Sequence, residues 1–182
     1  MNELEKIINN IYLKYNKREL VSPDPLQFLY DYTEVKQREI VALIAGLMAY
    51  GRVELIINAV FSILKIMEND PLNYILSSSK EIMERDFQDF KYRFSKSCHI
   101  IHLLMGIKGA LKNYGSLENL FISGMSSDNI DKKDILPPLT SFVHNIGQGS
   151  CAAGHLLPDP AKGSACKRLH LFLRWMVRSD DV

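Results

Sequence analysis

The chain has 182 residues, 22 of them basic and 21 acidic, for a net charge of +1, with 47% hydrophobic and 24% charged side chains. Those values describe one soluble globular domain over 1–182, long enough to bury a real core. They exclude a chain that is basic as a whole, so affinity for nucleic acid would need a local patch.

In chain order, Leu4, Ile7, Ile8, Ile11 and Tyr12 form the apolar stripe of a first helix. Asp24-Pro25 is a helix start, with Asp24 as cap and Pro25 in the first turn. Thr33 is placed to cap the next helix, Glu34 through Ala49, whose second half is apolar all round. Gly51 ends it. Arg52 to Met67 follows with Val53, Ile56, Ile57, Val60, Ile63 and Leu64 facing inward. Asp70-Pro71 repeats the cap-and-proline pattern before Leu72–Leu76, and the charged stretch Lys80–Tyr92 reads as a surface helix or turn. Cys98 to Asn113 is a long helix closed by Gly115, Ser116 caps a short one, and Ile135 to Ile146 is another. No segment alternates as a strand does. The predicted fold class is all-α, a multi-helix bundle.

Gly147 to Gly163 breaks this pattern, with four glycines at 147, 149, 154 and 163 and prolines at 158 and 160. It is a long loop, of the kind that is either functional or a mobile connector. It delivers the chain to a basic helix over 164–179, whose free N-terminal amides make a plausible anion site. There Ala165, Leu169, Phe172 and Met176 share one face, Lys167, Arg174 and Arg178 share the other, and Arg168 sits a quarter-turn aside. The basic stripe is either a solvated face or a surface that meets phosphate.

Other chemistry is thin. The five histidines, His99, His102, His144, His155 and His170, form no HExxH pattern, although His99 and His102 lie one helical turn apart. No P-loop, GxSxG or dinucleotide fingerprint is present, so no metal, nucleotide cofactor or other cofactor is expected. Three scattered cysteines, Cys98, Cys151 and Cys166, suit a reduced setting rather than a disulfide framework. The N-terminus lacks a signal-peptide pattern, and the longest apolar run, Ile40–Tyr50, is too short to cross a bilayer. A cytoplasmic location without a membrane partner is the expectation.

The run Leu157-Pro158-Asp159-Pro160 through Gly163-Ser164-Ala165-Cys166-Lys167-Arg168-Leu169 and on to Arg178 resembles the signature of an uncharacterised bacterial family, a domain of unknown function. Asp24-Pro25, Glu39–Ala45, Ala49-Tyr50-Gly51-Arg52-Val53 and Tyr114-Gly115-Ser116-Leu117-Glu118 resemble the same family in the same order. That family is in turn distantly similar to the helix-hairpin-helix DNA glycosylases, particularly archaeal enzymes that remove oxidised guanine. The resemblance implies a two-lobed helical fold around a base-binding cleft and a role in base excision repair. It implies Lys167 as the catalytic amine, Arg52, Arg168, Arg174 and Arg178 as DNA-binding residues, and Tyr50 as a base-pocket residue. Tyr50 reads equally well as a core aromatic. Relatives continue past the Asp-Asp-Val end into a Pro-Leu-Asp-Thr-His motif, so the resemblance implies an incomplete C-terminus, an absent catalytic aspartate and an uncovered apolar patch. Asp180 and Asp181 would lie roughly 20 Å from Lys167 along a helix, too far to replace that aspartate. DNA is the expected partner, on the reading that the chain is glycosylase-like and crippled. The alternative is a helical interaction module without catalysis. Oligomeric state is left open.

Overall fold

The computed structural model describes residues 2–131, 133–147 and 155–178. Ten α-helices, three 3₁₀ helices and one two-stranded hairpin make up the regular structure among them. The all-α expectation therefore holds apart from that hairpin. No described helix is long and apolar enough to cross a membrane.

Helix α1 (Glu3–Tyr15) opens with a capping box in which Asn2 Oδ1 accepts the Glu5 amide and the Glu5 carboxylate accepts the Asn2 amide. Its apolar stripe is there, but it stays exposed: no residue of α1 is buried. Pro25–Asp31 follows as a 3₁₀ helix rather than an α-helix, and Asp24 Oδ1 caps it through the Leu26 amide at 2.8 Å.

Helix α2 (Val35–Met48) is the hub. Ten consecutive residues, Glu39 to Met48, are buried, which requires neighbours on every side. Those neighbours are the 3₁₀ helix Pro25–Asp31, α3 (Val53–Ile66), α4 (Pro71–Ser77), α7 (Leu117–Ser123) and α10 (Lys167–Val177). Thr33 does not cap α2. Glu34 holds the cap position without a side-chain bond, and the Thr33 carbonyl accepts from Arg38 further along the helix. Helix α10 runs antiparallel to α2. Its first turns meet Gly46 near the end of α2, and its last turn shares a groove with Val35 and Glu39 at the beginning. That groove, about 200 Å³, is largely apolar and lined also by Phe121 and Met176.

Glu39 is 2% exposed. Its Oε2 accepts the Leu117 amide at 2.7 Å, and the Glu118 amide also bonds to the carboxylate. A carboxylate from one helix thus satisfies the orphan donors that open another, α7. Burial holds its carboxyl above the usual range, and the two amides oppose that rise.

The stretch Lys80–Tyr92 is a helix, α5 (Lys80–Asp86), then a turn, as expected, except that its last two residues form β1 (Lys91–Tyr92), which pairs with β2 (Ser95–Lys96) so that Tyr92 lies opposite Ser95. Strands of two residues carry no alternation to detect. Helix α6 (Ser97–Tyr114) then packs on α9 (Leu136–Ile146) so closely that a Cβ on Gly106 would lie 2.0 Å from the Ile146 carbonyl oxygen. Gly115 ends α6 at φ +81° and Ser116 caps α7, as expected. The short α8 (Ser127–Asp131) precedes α9.

Of the loop 147–163, residues 148–154 lie outside the described residues, and with them Gly149, Cys151 and Gly154. The described remainder includes a 3₁₀ turn, Pro160–Lys162, tied to α9 by His144 Nε2 at 3.0 Å from Asp159 Oδ2. Helix α10 begins at Lys167, three residues later than the expected 164. Cys166 takes a left-handed conformation (φ +46°), its amide donates to Ser164 Oγ, and its buried thiol donates to the Pro158 carbonyl. Cys166 therefore fills the core position expected of Ala165, which is exposed. Asp180 and Asp181 lie outside the described residues.

Glu39→Ala leaves the buried amides of α7 unpaired and is expected to cost about 2–4 kcal/mol in urea denaturation. Glu39→Gln keeps an acceptor and costs less. Because the folded chain holds the Glu39 proton more tightly than the unfolded chain, its stability falls as pH rises through the raised value, and Glu39→Gln removes that dependence. Gly106→Ala drives a methyl into backbone and should lower stability by about 1–3 kcal/mol or more, read from the same denaturation curves.

Candidate functional site

The fully buried C-terminus of α2 leaves carbonyls without intrahelical partners. Arg168, the second residue of α10, supplies one: Nη1 donates to the Leu47 carbonyl at 2.6 Å, and Nη2 donates to the His155 carbonyl. Its guanidinium also lies over the Tyr50 ring, 5.0 Å from the centroid. One side chain therefore joins α10, the end of α2 and the loop before α10. Burial pulls its guanidinium below the usual value, and Tyr50 opposes the shift.

Tyr50 sits between α2 and α3, where Gly51 turns the chain at φ +109°. A Cβ at Gly51 would also meet Arg93 Nη1 at 2.9 Å and the Tyr92 hydroxyl at 3.1 Å, so only glycine fits. The Tyr50 and Tyr92 rings approach to 4.9 Å, and the Tyr92 hydroxyl donates to the Tyr50 carbonyl. In return the Tyr50 hydroxyl faces the Tyr92 carbonyl at 3.3 Å and Ser95 Oγ at 2.6 Å. The chain of polar contacts continues from Ser95 Oγ to His155 Nε2 at 2.9 Å. The His155 ring meets His99 edge-on at 4.6 Å, and His99 Nδ1 accepts the Lys96 amide at 3.0 Å.

Ser95 is wholly buried and its hydroxyl bridges Tyr50 and His155, so it is a relay inside the framework. Burial, then His99, then Arg168 push the His155 imidazole toward its neutral form. Burial, then Lys96, then His102 do the same to His99. Both rings are thus available as neutral hydrogen-bonding groups near pH 7. His102 lies one turn from His99 on α6, as expected, and bonds to the Gly147 carbonyl at 3.3 Å. Among the described residues, no group of three His, Cys, Asp or Glu side chains is arranged to hold a metal.

Two of the residues singled out from sequence, Tyr50 and Arg168, meet here, and both are half-buried parts of the framework. Arg52 is exposed at the head of α3, next to Gly51. Lys167 is exposed at the first position of α10 and makes no ion pair or hydrogen bond with its side chain among the described residues. Arg174 is exposed in the last turn of α10, and Arg178, just beyond it, donates to Asn16 Oδ1 at 3.2 Å. The basic ridge is therefore divided: Lys167 opens α10 next to Arg168, and Arg174 and Arg178 lie toward the other end of the helix.

Sequence reading missed Tyr92, Arg93, Phe94 and Ser95. The hairpin turn places Arg93 at φ +51° with its guanidinium 5.6 Å from the Phe94 ring, and Phe94 is 70% exposed. The one readable signal was Gly51, whose close neighbours turn out to be these hairpin residues.

Arg168→Met removes the partner of two carbonyls and is expected to destabilise the protein by about 2–4 kcal/mol in thermal or urea unfolding. Arg168→Lys should recover less than half of that, since one ammonium cannot span both carbonyls and the ring.

No curated protein and no solved structure matches the chain. The family model described as a protein of unknown function (DUF2400) matches residues 24–182, and the chain belongs to that family.

Proposed function

We propose that the chain is a DNA-binding protein of the DNA-glycosylase type, engaging the duplex through the face around Tyr50. The observation that carries this reading is the set of cations on that face. Arg52, Arg93, Lys96 and Lys167 are all exposed, and none is paired with a carboxylate among the described residues. Each adjoins the cluster by sequence or contact: Arg52 beside Gly51, Arg93 over Gly51, Lys96 on His99, and Lys167 beside Arg168. Exposed cations without carboxylate partners are what phosphate binding by counterion release draws on. The exposed Phe94 ring adds a surface on which a base can stack.

Arg168 and Tyr50 serve this face as its scaffold. The two-lobed helix-hairpin-helix architecture and the repair chemistry come from the resemblance and belong to the proposal. In that chemistry Lys167 Nζ, as free amine, bonds to C1′ of the deoxyribose. The base leaves with the electron pair of its C1′–N bond and takes up a proton, and ring opening converts the amine adduct to an imine. The uncovered apolar stripe of α1 favours a second reading, a helical interaction module without catalysis.

Anisotropy titrations of a labelled duplex across a salt series separate the two. The first reading predicts log Kd linear in log salt, with a slope reduced by about 2–3 in the Arg52→Ala/Arg93→Ala/Lys167→Ala protein. Binding indifferent to salt and to those changes counts against the first reading, and no affinity above background is what the second predicts. Borohydride reduction in the presence of damaged duplexes, run on a relative that carries the Pro-Leu-Asp-Thr-His motif, should trap a covalent adduct that is lost when the lysine corresponding to Lys167 is changed to Ala.

A further inference from the structure

A second cleft, about 300 Å³, lies where the end of α10 meets the beginning of α2. Three arginines from three separate elements line it: Arg18 from the 3₁₀ turn Arg18–Leu20, Arg38 from α2, and Arg178 after α10. The Arg18 guanidinium carbon stands 3.1 Å from the centroid of the Tyr30 ring. Arg38 donates through Nε to the Tyr32 carbonyl at 3.0 Å and through Nη2 to the Thr33 carbonyl at 3.1 Å. Arg178 counts the Asn16 amide oxygen among its partners.

Arg18 and Arg38 are thus held by neutral groups, a ring face and two carbonyls. Such partners fix a guanidinium in place without cancelling its charge. The nearest carboxylates bearing on the Tyr32 hydroxyl are Asp31 and Asp70, and neither forms an ion pair with Arg18 or Arg38. Gathering like charges in a concave site raises their mutual repulsion, and an anion that enters relieves it. Preorganised guanidinium forks suit phosphate, which accepts two bonds from each. The cleft is larger than inorganic phosphate needs and falls at the small end of organic-ligand sites. Leu26, Leu29 and Trp175 supply apolar wall for the remainder of such a ligand.

We propose that this cleft binds a small phosphate monoester. The ligand is either a free sugar-phosphate-sized molecule or the terminal phosphate of a nucleic-acid strand. The site is separate from the Tyr50 face, and its charge comes from residues that the DNA-binding proposal does not need.

Trp175 is the chain's one tryptophan and lines this cleft, so its emission reports occupancy directly. The full chain is titrated with ribose 5-phosphate, ribose, inorganic phosphate, and short single strands carrying either a 5′-phosphate or a 5′-hydroxyl. The expected result is a saturable change with a phosphate monoester and none with ribose. Arg18→Ala should weaken it by about tenfold, and Arg18→Lys by less. Arg18 is exposed, and an unchanged melting temperature confirms that Arg18→Ala folds. Response to ribose 5-phosphate alone assigns a free ligand, whereas displacement by the 5′-phosphate strand and not the 5′-hydroxyl strand assigns a strand end. Inorganic phosphate binding as tightly as either monoester, no saturable response at millimolar ligand, or a response indifferent to Arg18→Ala would overturn the proposal. The Arg52→Ala/Arg93→Ala/Lys167→Ala protein should titrate as the native chain does, which keeps failure of the two proposals distinguishable.

Discussion

A helix buried on all sides has to find partners for its last carbonyls inside the protein, and here Arg168 is that partner for α2. The requirement has consequences beyond local hydrogen bonding. To reach Leu47, the guanidinium must come from the first turn of α10, which fixes where the preceding loop ends. The same group then takes the His155 carbonyl and the Tyr50 ring, so the end of the core helix, the loop and the α2–α3 turn are positioned together. His155 in turn reaches Ser95, and Ser95 reaches Tyr50. The circuit closes on itself.

The antiparallel pairing of α2 with α10 gives the molecule two charged ends. Arg38 and Leu47 are about 14 Å apart along α2. At the Leu47 end the guanidinium is consumed by structure and the exposed cations surround it. At the Arg38 end the guanidiniums of Arg18 and Arg38 line a cleft, held by a ring face and two carbonyls. Between the two, the groove over Glu39 is apolar, and the carboxylate beneath it serves α7. One pair of helices therefore separates a broad cationic face from a compact anion-binding shape, with dry packing between them.

Local signals in the sequence were read well wherever their cause was local. Asp24, Asp70 and Ser116 cap what their spacing says they cap, Gly115 ends α6, and the run from Ile40 is buried because no polar face exists to expose. The amphipathic reading of α10 was correct for Leu169 and Phe172, and it failed for Ala165, because Cys166 adopts a left-handed conformation that no propensity suggests. The stripe of α1 was legible and its burial was not, since periodicity says which face is apolar and nothing about what meets it. The candidate site was half visible. Tyr50 and Arg168 stood out and His155 did not, and their joining depends on contacts to Ser95, 45 and 60 positions away from Tyr50 and His155, and on one spanning 121 positions between Arg168 and Leu47. A two-residue hairpin carries no periodic signal, so Ser95 and Arg93 could be placed only by the fold.

The central claim is that Arg168 organises the Tyr50 face through its two carbonyl partners. Amide hydrogen exchange followed by mass spectrometry in the native chain and in Arg168→Met tests this most directly. The account predicts faster exchange in the 91–96 hairpin and in 155–166 together, with the α6–α9 pair, which carries none of the hydrogen-bond partners of Arg168, keeping its protection. Unchanged exchange in both segments would show that the face holds together without Arg168, and the account would be wrong.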